Sequence, residues 1–163
     1  MDAARLFEEH HESLLRYLVR LTGDLDTAHD AAQEAFVRLV SKPPRDTHLR
    51  AWLFTVATNV VRAGASTRRR RAALLAAGGA RGPHGDPGPT PEDSAIAESD
   101  RSRVRAALAA LPEKERVMLL MREEGFSHRE IAEAVGTTTG SVGTMLARAL
   151  DRLAALLPLD DDA

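Results

Sequence analysis

The sequence predicts an all-α protein of two small helical domains, a three-helix N-terminal bundle and a C-terminal helix-turn-helix domain, joined by a flexible linker. Three observations predict it. The chain is rich in Ala, Leu, Arg and Glu and only 4% aromatic, a composition that favours helix over sheet. Its apolar residues recur at three- and four-residue spacing between helix caps and breakers. One stretch, Gly78 to Pro91 (GGARGPHGDPGPTP), gathers five of the eleven Gly and four of the eight Pro. Such a stretch holds neither a helix nor a ladder strand. The expected boundaries are therefore 1–77, a linker at 78–91, and 92–158. Fully extended, the linker's fourteen residues reach roughly 45–50 Å.

The first helix is expected from about Ala3 to Leu21, with Phe7, Leu14, Leu18 and Leu21 on one side and Gly23 ending it. Asp26 is the expected N-cap of the second, which carries Ala28, Ala32, Ala35, Phe36, Leu39 and Val40. Pro43 and Pro44 stop it. The third is expected to begin near Thr47, to place Leu49, Trp52, Leu53, Val56 and Val60 on one side, and to run into the arginines 68–71.

Past the linker, Thr90-Pro91-Glu92-Asp93 offers a cap, a first-turn Pro and first-turn acids for a helix reaching about Ala110. Pro112-Glu113 opens the next, which Gly125 closes. Ser127 and Glu130 form a capping box, with Phe126 and Ile131 as a hydrophobic staple. Gly136 is the expected C-cap. After Thr137-Thr138-Thr139 a last helix is expected from Gly140 to Leu157, before Pro158.

Composition also narrows function. No run of about 18 apolar residues exists, so no membrane span is expected. The N-terminus lacks the basic start and apolar stretch of a signal peptide, and a cytoplasmic protein is the expectation. With no Cys there is no disulfide or thiolate metal site. Lys plus Arg is 22 against 24 for Asp plus Glu, so overall charge does not announce a nucleic-acid binder. Its distribution does: Arg62 and Arg68–Arg71 concentrate one basic end, and four adjacent arginines suit phosphates. The opposing reading is a solvated helix end.

The short helix before Gly136, a tight turn and a longer helix have helix-turn-helix geometry, in which the second helix enters a major groove. Val142, Leu146, Ala149, Leu150 and Leu153 are expected on its core side. Ser141, Thr144, Arg148 and Arg152 make a polar stripe able to meet bases or phosphates. An ordinary helical hairpin with a solvated Arg face is the bland alternative. Trp52, Thr55, Asn59 and Arg62 combine an aromatic, polar groups and a cation, the elements of a single-strand platform. For a lone Trp the core reading is the better one. Enzyme chemistry finds no support: the six His lack His-Glu-x-x-His spacing, and no phosphate loop is present.

These segments resemble the extracytoplasmic-function (ECF) sigma factors of bacterial RNA polymerase. The resemblance lies in Leu6 to Val40, with Ala31-Ala32-Gln33-Glu34-Ala35-Phe36, and in Arg50-Ala51-Trp52-Leu53 through Ala57-Thr58-Asn59. It continues over Leu108 to Leu153, with Leu111-Pro112-Glu113, Phe126-Ser127-His128-Arg129-Glu130-Ile131-Ala132 and Gly140-Ser141-Val142. It implies a non-enzymatic, cofactor-free specificity subunit that binds the two largest subunits of core RNA polymerase and promoter DNA, with an anti-sigma factor as a further partner. Asp30, Gln33, Glu34 and Arg38 would contact the polymerase. Arg45 and His48, in the loop Ser41–His48, would grip the −10 element with Trp52, Thr55, Asn59, Arg62 and Arg68, Arg69, Arg70 and Arg71. Arg129, Thr139, Ser141, Thr144, Arg148 and Arg152 would read the −35 element. The chain departs from the family at Val142-Gly143-Thr144-Met145, where a basic residue and Ser-Arg usually follow the Val. Arg148 and Arg152 would then carry more of the binding. A stand-alone helix-turn-helix regulator is the alternative, and it leaves residues 6–71 idle.

Overall fold

The computed structural model describes residues 2–45, 48–76 and 95–157. The chain divides into two compact units, Met1–Pro89 and Thr90–Ala163. The expected linker, the Thr90 cap, the Thr47 start and Pro158 lie outside the described residues.

The first unit is three helices: α1 (Ala3–Thr22), α2 (Leu25–Ser41) and α3 (Leu49–Ala76). The Asp2 carboxylate accepts from the N–H groups of Ala4 and Arg5 at 3.1 and 3.3 Å, capping α1. Gly23 ends it with φ 71°, a left-handed conformation in which its own N–H reaches the Val19 carbonyl at 2.8 Å. Asp24, not Asp26, caps α2: its carboxylate accepts from the Thr27 N–H at 3.2 Å. The tight Gly23 turn delivers the chain into the helix two residues earlier than expected, and Asp26 becomes an exposed first-turn acid favourable to the helix dipole.

α2 packs against both α1 and α3. Its buried side is mostly Ala28, Ala31, Ala32 and Ala35, with Phe36 and Leu39. Small side chains let helix axes approach closely. α3 corrects the expected face. Ala51, Leu53, Phe54, Ala57 and Thr58 are buried, while Leu49, Trp52, Val56 and Val60 are only half-buried. The Phe54 ring meets Tyr17 of α1 with centroids 5.0 Å apart and planes tilted by 44°. Thr58 is the one buried polar residue among those described, and it is satisfied. Its hydroxyl donates to the Phe54 carbonyl at 2.7 Å, so the Tyr17 hydroxyl, also at 2.7 Å, is the donor toward Thr58 Oγ1. At about 1.5 Å per residue α3 is roughly 12 Å longer than α1. From Ser66 onward its side chains are all exposed. Phe7 (45%) and Val40 (60%), expected inside, are exposed as well.

The second unit comprises α4 (Ala95–Ala110), α5 (Glu113–Glu123), α6 (His128–Val135) and α7 (Thr139–Leu156). Gly125 makes the turn after α5 with φ 89°. The capping box at α6 is complete: Glu130 N–H donates to Ser127 Oγ at 3.2 Å and Ser127 N–H to the Glu130 carboxylate at 2.8 Å. Together they satisfy two of the four donors a helix start leaves open. Phe126 and Ile131 are fully buried beside it. Gly136 closes α6 with φ 71°. Val117, Met118, Met121, Ile131, Val142 and Ala149 form the core. Leu150, expected inside, is 54% exposed, and Leu153 is half-buried. Among the described residues no helix is long and apolar enough to cross a membrane.

Candidate nucleic-acid interface

Successive side chains on a helix turn by about 100°, which sorts the candidate residues of α3. Trp52, Thr55, Asn59 and Arg62 fall within an arc of about 80°, roughly 140° around from the buried face. The structure agrees: Trp52, Thr55 and Arg62 are half-buried and Asn59 is exposed. Trp52 is therefore not a core residue. The Thr55 hydroxyl donates to the Ala51 carbonyl at 2.8 Å. Its proton is engaged, so toward an outside group it serves as an acceptor. Arg45 and His48 flank the start of α3 and are both exposed.

The four arginines do not share one face, because consecutive residues point to different sides of a helix. Arg69 and Arg70 lie on or beside the continuation of the Trp52–Arg62 stripe, whereas Arg68 lies on the continuation of the buried face. Its guanidinium returns to α2 and donates to Thr27 Oγ1 at 3.3 Å. Arg69, Arg70 and Arg71 are exposed. Thr27 also donates its hydroxyl proton to Asp24. That bond, foremost, holds the Asp24 carboxyl below the usual carboxylate range, with backbone N–H groups and the Arg68 charge acting in the same direction.

On α2, Asp30, Gln33 and Arg38 are exposed and Glu34 half-buried, along one outward side. Arg38 and Glu34 form a 2.7 Å ion pair one turn apart. Beside them, between α1 and α2, runs an apolar groove of about 670 Å³ lined by Phe7, His11, Phe36, Val37 and Val40 among others. Sequence periodicity assigns Phe7 and Val40 to the core and so misses this surface; both lie at helix ends, where a continued apolar period overshoots the packed region.

In the second unit, α6 and α7 stand as a helix-turn-helix pair. Thr144 and Arg148 are exposed on the outer side of α7, away from buried Val142, Leu146 and Ala149, and Thr139 is exposed at the helix start. Arg148 is bound to none of the described residues. Ser141 is half-buried and shares a 2.7 Å hydrogen bond with Thr138 at the helix start. Arg129 on α6 is exposed and lies 3.5 Å from Glu133. Arg152 belongs to the same stripe by spacing, but it donates at 2.8 Å to Glu115 of α5, whose side chain is only 15% exposed. It braces α7 to α5. Neither Gly140 nor Gly143 is required by packing. A Cβ at Gly140 would meet nothing, and one at Gly143 only His128 at an ordinary 3.8 Å.

Residues 6–71 match the Sigma-70 region 2 family and residues 101–153 the Sigma-70, region 4 family. The ECF RNA polymerase sigma factor SigL of Mycobacterium tuberculosis is 35% identical over 146 residues, covering 86% of this chain and 80% of the relative. The ECF RNA polymerase sigma factor EcfG of Rhodopseudomonas palustris is 31% identical over 152 residues, covering 91% and 81%. The chain belongs to the ECF sigma factor family. As a sigma factor it directs promoter-specific initiation of transcription. The stand-alone regulator gives no account of residues 6–71, which region 2 now explains. The fold has a solved counterpart in the sigma factor RpoE of Bartonella quintana, determined in complex with the anti-sigma factor NepR. That chain has a TM-score of 0.73 and 23% identity, with 96% of this chain and 97% of the other covered.

Proposed function

We propose that the α1–α3 unit binds core RNA polymerase and the −10 element while the α4–α7 unit reads the −35 element, with 1–77, 78–91 and 92–158 as the functional divisions. Asp30, Gln33, Glu34 and Arg38 are the polymerase contacts on α2. Arg45, His48, Trp52, Thr55, Asn59 and Arg62 receive the opening −10 strand, with Trp52 offering a stacking face and Thr55 accepting from a base or sugar donor. Arg69, Arg70 and Arg71 hold backbone phosphates. Thr139, Ser141, Thr144 and Arg148 address the −35 duplex, with Arg129 at the neighbouring backbone. The protein acts in the cytoplasm without catalysis of its own. By analogy with the Bartonella quintana complex, an anti-sigma factor is proposed as a further partner.

The observation that carries this reading is the outward placement of a polar or basic stripe on α3 and on α7, each opposite a buried face, within the segments that match regions 2 and 4. In-vitro transcription with purified core polymerase on a promoter library tests it. The protein should redirect initiation to a distinct promoter set. Arg148→Ala should weaken −35-dependent promoters by about 1–3 kcal/mol, the range for a bidentate base contact, and relax selectivity at one position. Unchanged start sites on adding the protein would overturn the reading. Unchanged strength and selectivity in R148A would remove Arg148 from it.

A further inference from the structure

The bundle of α1–α3 ends before α3 does. Gly64 and Ala65 are the last half-buried residues of α3, and Ser66 to Ala76 are exposed. Arg68 lies one helical turn past Gly64 on the bundle-facing side. Its Nε points back at the Gly64 carbonyl at 3.4 Å, and its Nη1 donates to Thr27 Oγ1 at 3.3 Å. Thr27 is prepared for that contact. Its hydroxyl proton goes to the Asp24 carboxylate, which also accepts the Thr27 N–H at 3.2 Å, so the oxygen's lone pairs face the guanidinium. Arg68 lines a cleft of about 500 Å³ with Thr27, Asp30, Glu34, Val60 and Val61. That acidic surrounding suits a guanidinium and repels a phosphate.

Helical rotation gives the same answer independently. Counting about 100° per residue, Arg68 stands roughly 160° from the centre of the Trp52–Arg62 stripe, whereas Arg70 falls within it and Arg69 about 20° outside its edge. A duplex or strand lying along the stripe meets Arg69 and Arg70 and has Arg68 on the far side of the helix.

We propose that Arg68 is a positioning residue rather than a DNA contact: through Thr27 and Asp24 it fastens the projecting end of α3 to the start of α2, and so keeps Arg69 and Arg70 aligned with the stripe. The proposal rests on the reading that this stripe faces promoter DNA. Sequence alone presents four equivalent arginines; the geometry divides them.

The test uses the full chain bound to core polymerase and measures promoter affinity against salt, together with hydrogen exchange of amides 65–76. Arg69→Gln and Arg70→Gln should each reduce the log–log salt slope by roughly 0.9. Arg68→Gln should lower promoter affinity by a similar factor at every salt concentration and leave the slope near that of the parent, because Arg69 and Arg70 still reach phosphates in the bound state. It should also accelerate exchange over 65–76, as should the charge-neutral Thr27→Val, and the double variant should exchange no faster than either single one. A fall in slope for R68Q equal to that of R70Q would overturn the proposal, as would additive exchange effects of T27V and R68Q. If R69Q and R70Q also leave the slope unaltered while the Thr27–Arg68 coupling persists, the DNA reading of α3 is what fails and the fastening stands.

Discussion

Replacing Phe54 by alanine is expected to unfold the α1–α3 unit and abolish transcription by the holoenzyme. Phe54 is fully buried, and its ring meets Tyr17 across the α1–α3 junction. Removing a buried Phe side chain costs about 3–5 kcal/mol through forfeited transfer energy and the cavity left behind. A domain this small has a total stability of the same order. The single Trp of the chain, Trp52, lies in this unit, so its fluorescence reports the N-terminal transition separately from the helix-turn-helix unit. The transition should disappear or move down steeply in F54A. Tyr17→Phe is the matched control. It keeps the ring and removes only the hydroxyl donor to Thr58, whose own proton still reaches the Phe54 carbonyl, and should cost only about 1 kcal/mol. Equal losses for the two variants would place the weight of this junction on the hydroxyl pair instead of the packed rings.

The second large effect is electrostatic. Replacing Arg69 and Arg70 together by alanine should lower the salt slope of promoter binding by roughly 1.8, about 0.9 for each phosphate that is no longer neutralised. Affinity should fall most at low salt, where counterion release contributes most. Discrimination between promoters should hardly change, because phosphates carry no direct sequence information. This separates the pair from Arg148, whose loss is expected to alter selectivity. Folding should be intact, since both residues are exposed on the projecting turns of α3. A normal slope in the double variant would return the basic end to a solvated role.

Much of this was legible in the sequence where the signal is local. Gly23 and Gly136 adopt the left-handed caps their positions suggested, and the Ser127–Glu130 box forms with both of its hydrogen bonds. Such features involve residues three or four apart and need no knowledge of the partner helix. The faces of helices were less legible. The inward side of α3 is carried by Ala51, Ala57 and a hydrogen-bonded Thr58, which score weakly as apolar, while the conspicuous Trp52, Val56 and Val60 lie to the side. Leu150 was misplaced because α7 is apolar on more of its circumference than α5 and α6 cover. The division among the arginines was available from helical rotation alone. Its structural counterpart, Thr27 with its partner Asp24, lies 41 residues away in the chain at Thr27, and only the fold brings it to Arg68.

The contact between Arg152 and Glu115 bears on how the recognition helix can evolve. Glu115 is largely enclosed, and one of its carboxylate oxygens is buried with no partner. Withdrawing the guanidinium would strand a charge in poorly solvated surroundings. Substitution of Arg152 alone is therefore penalised whatever promoter is read, and that position is released only once Glu115 has changed. Arg148, one turn away and unencumbered, is at liberty to change. New promoter preferences can arise at that turn of the helix without reopening the architecture beneath it.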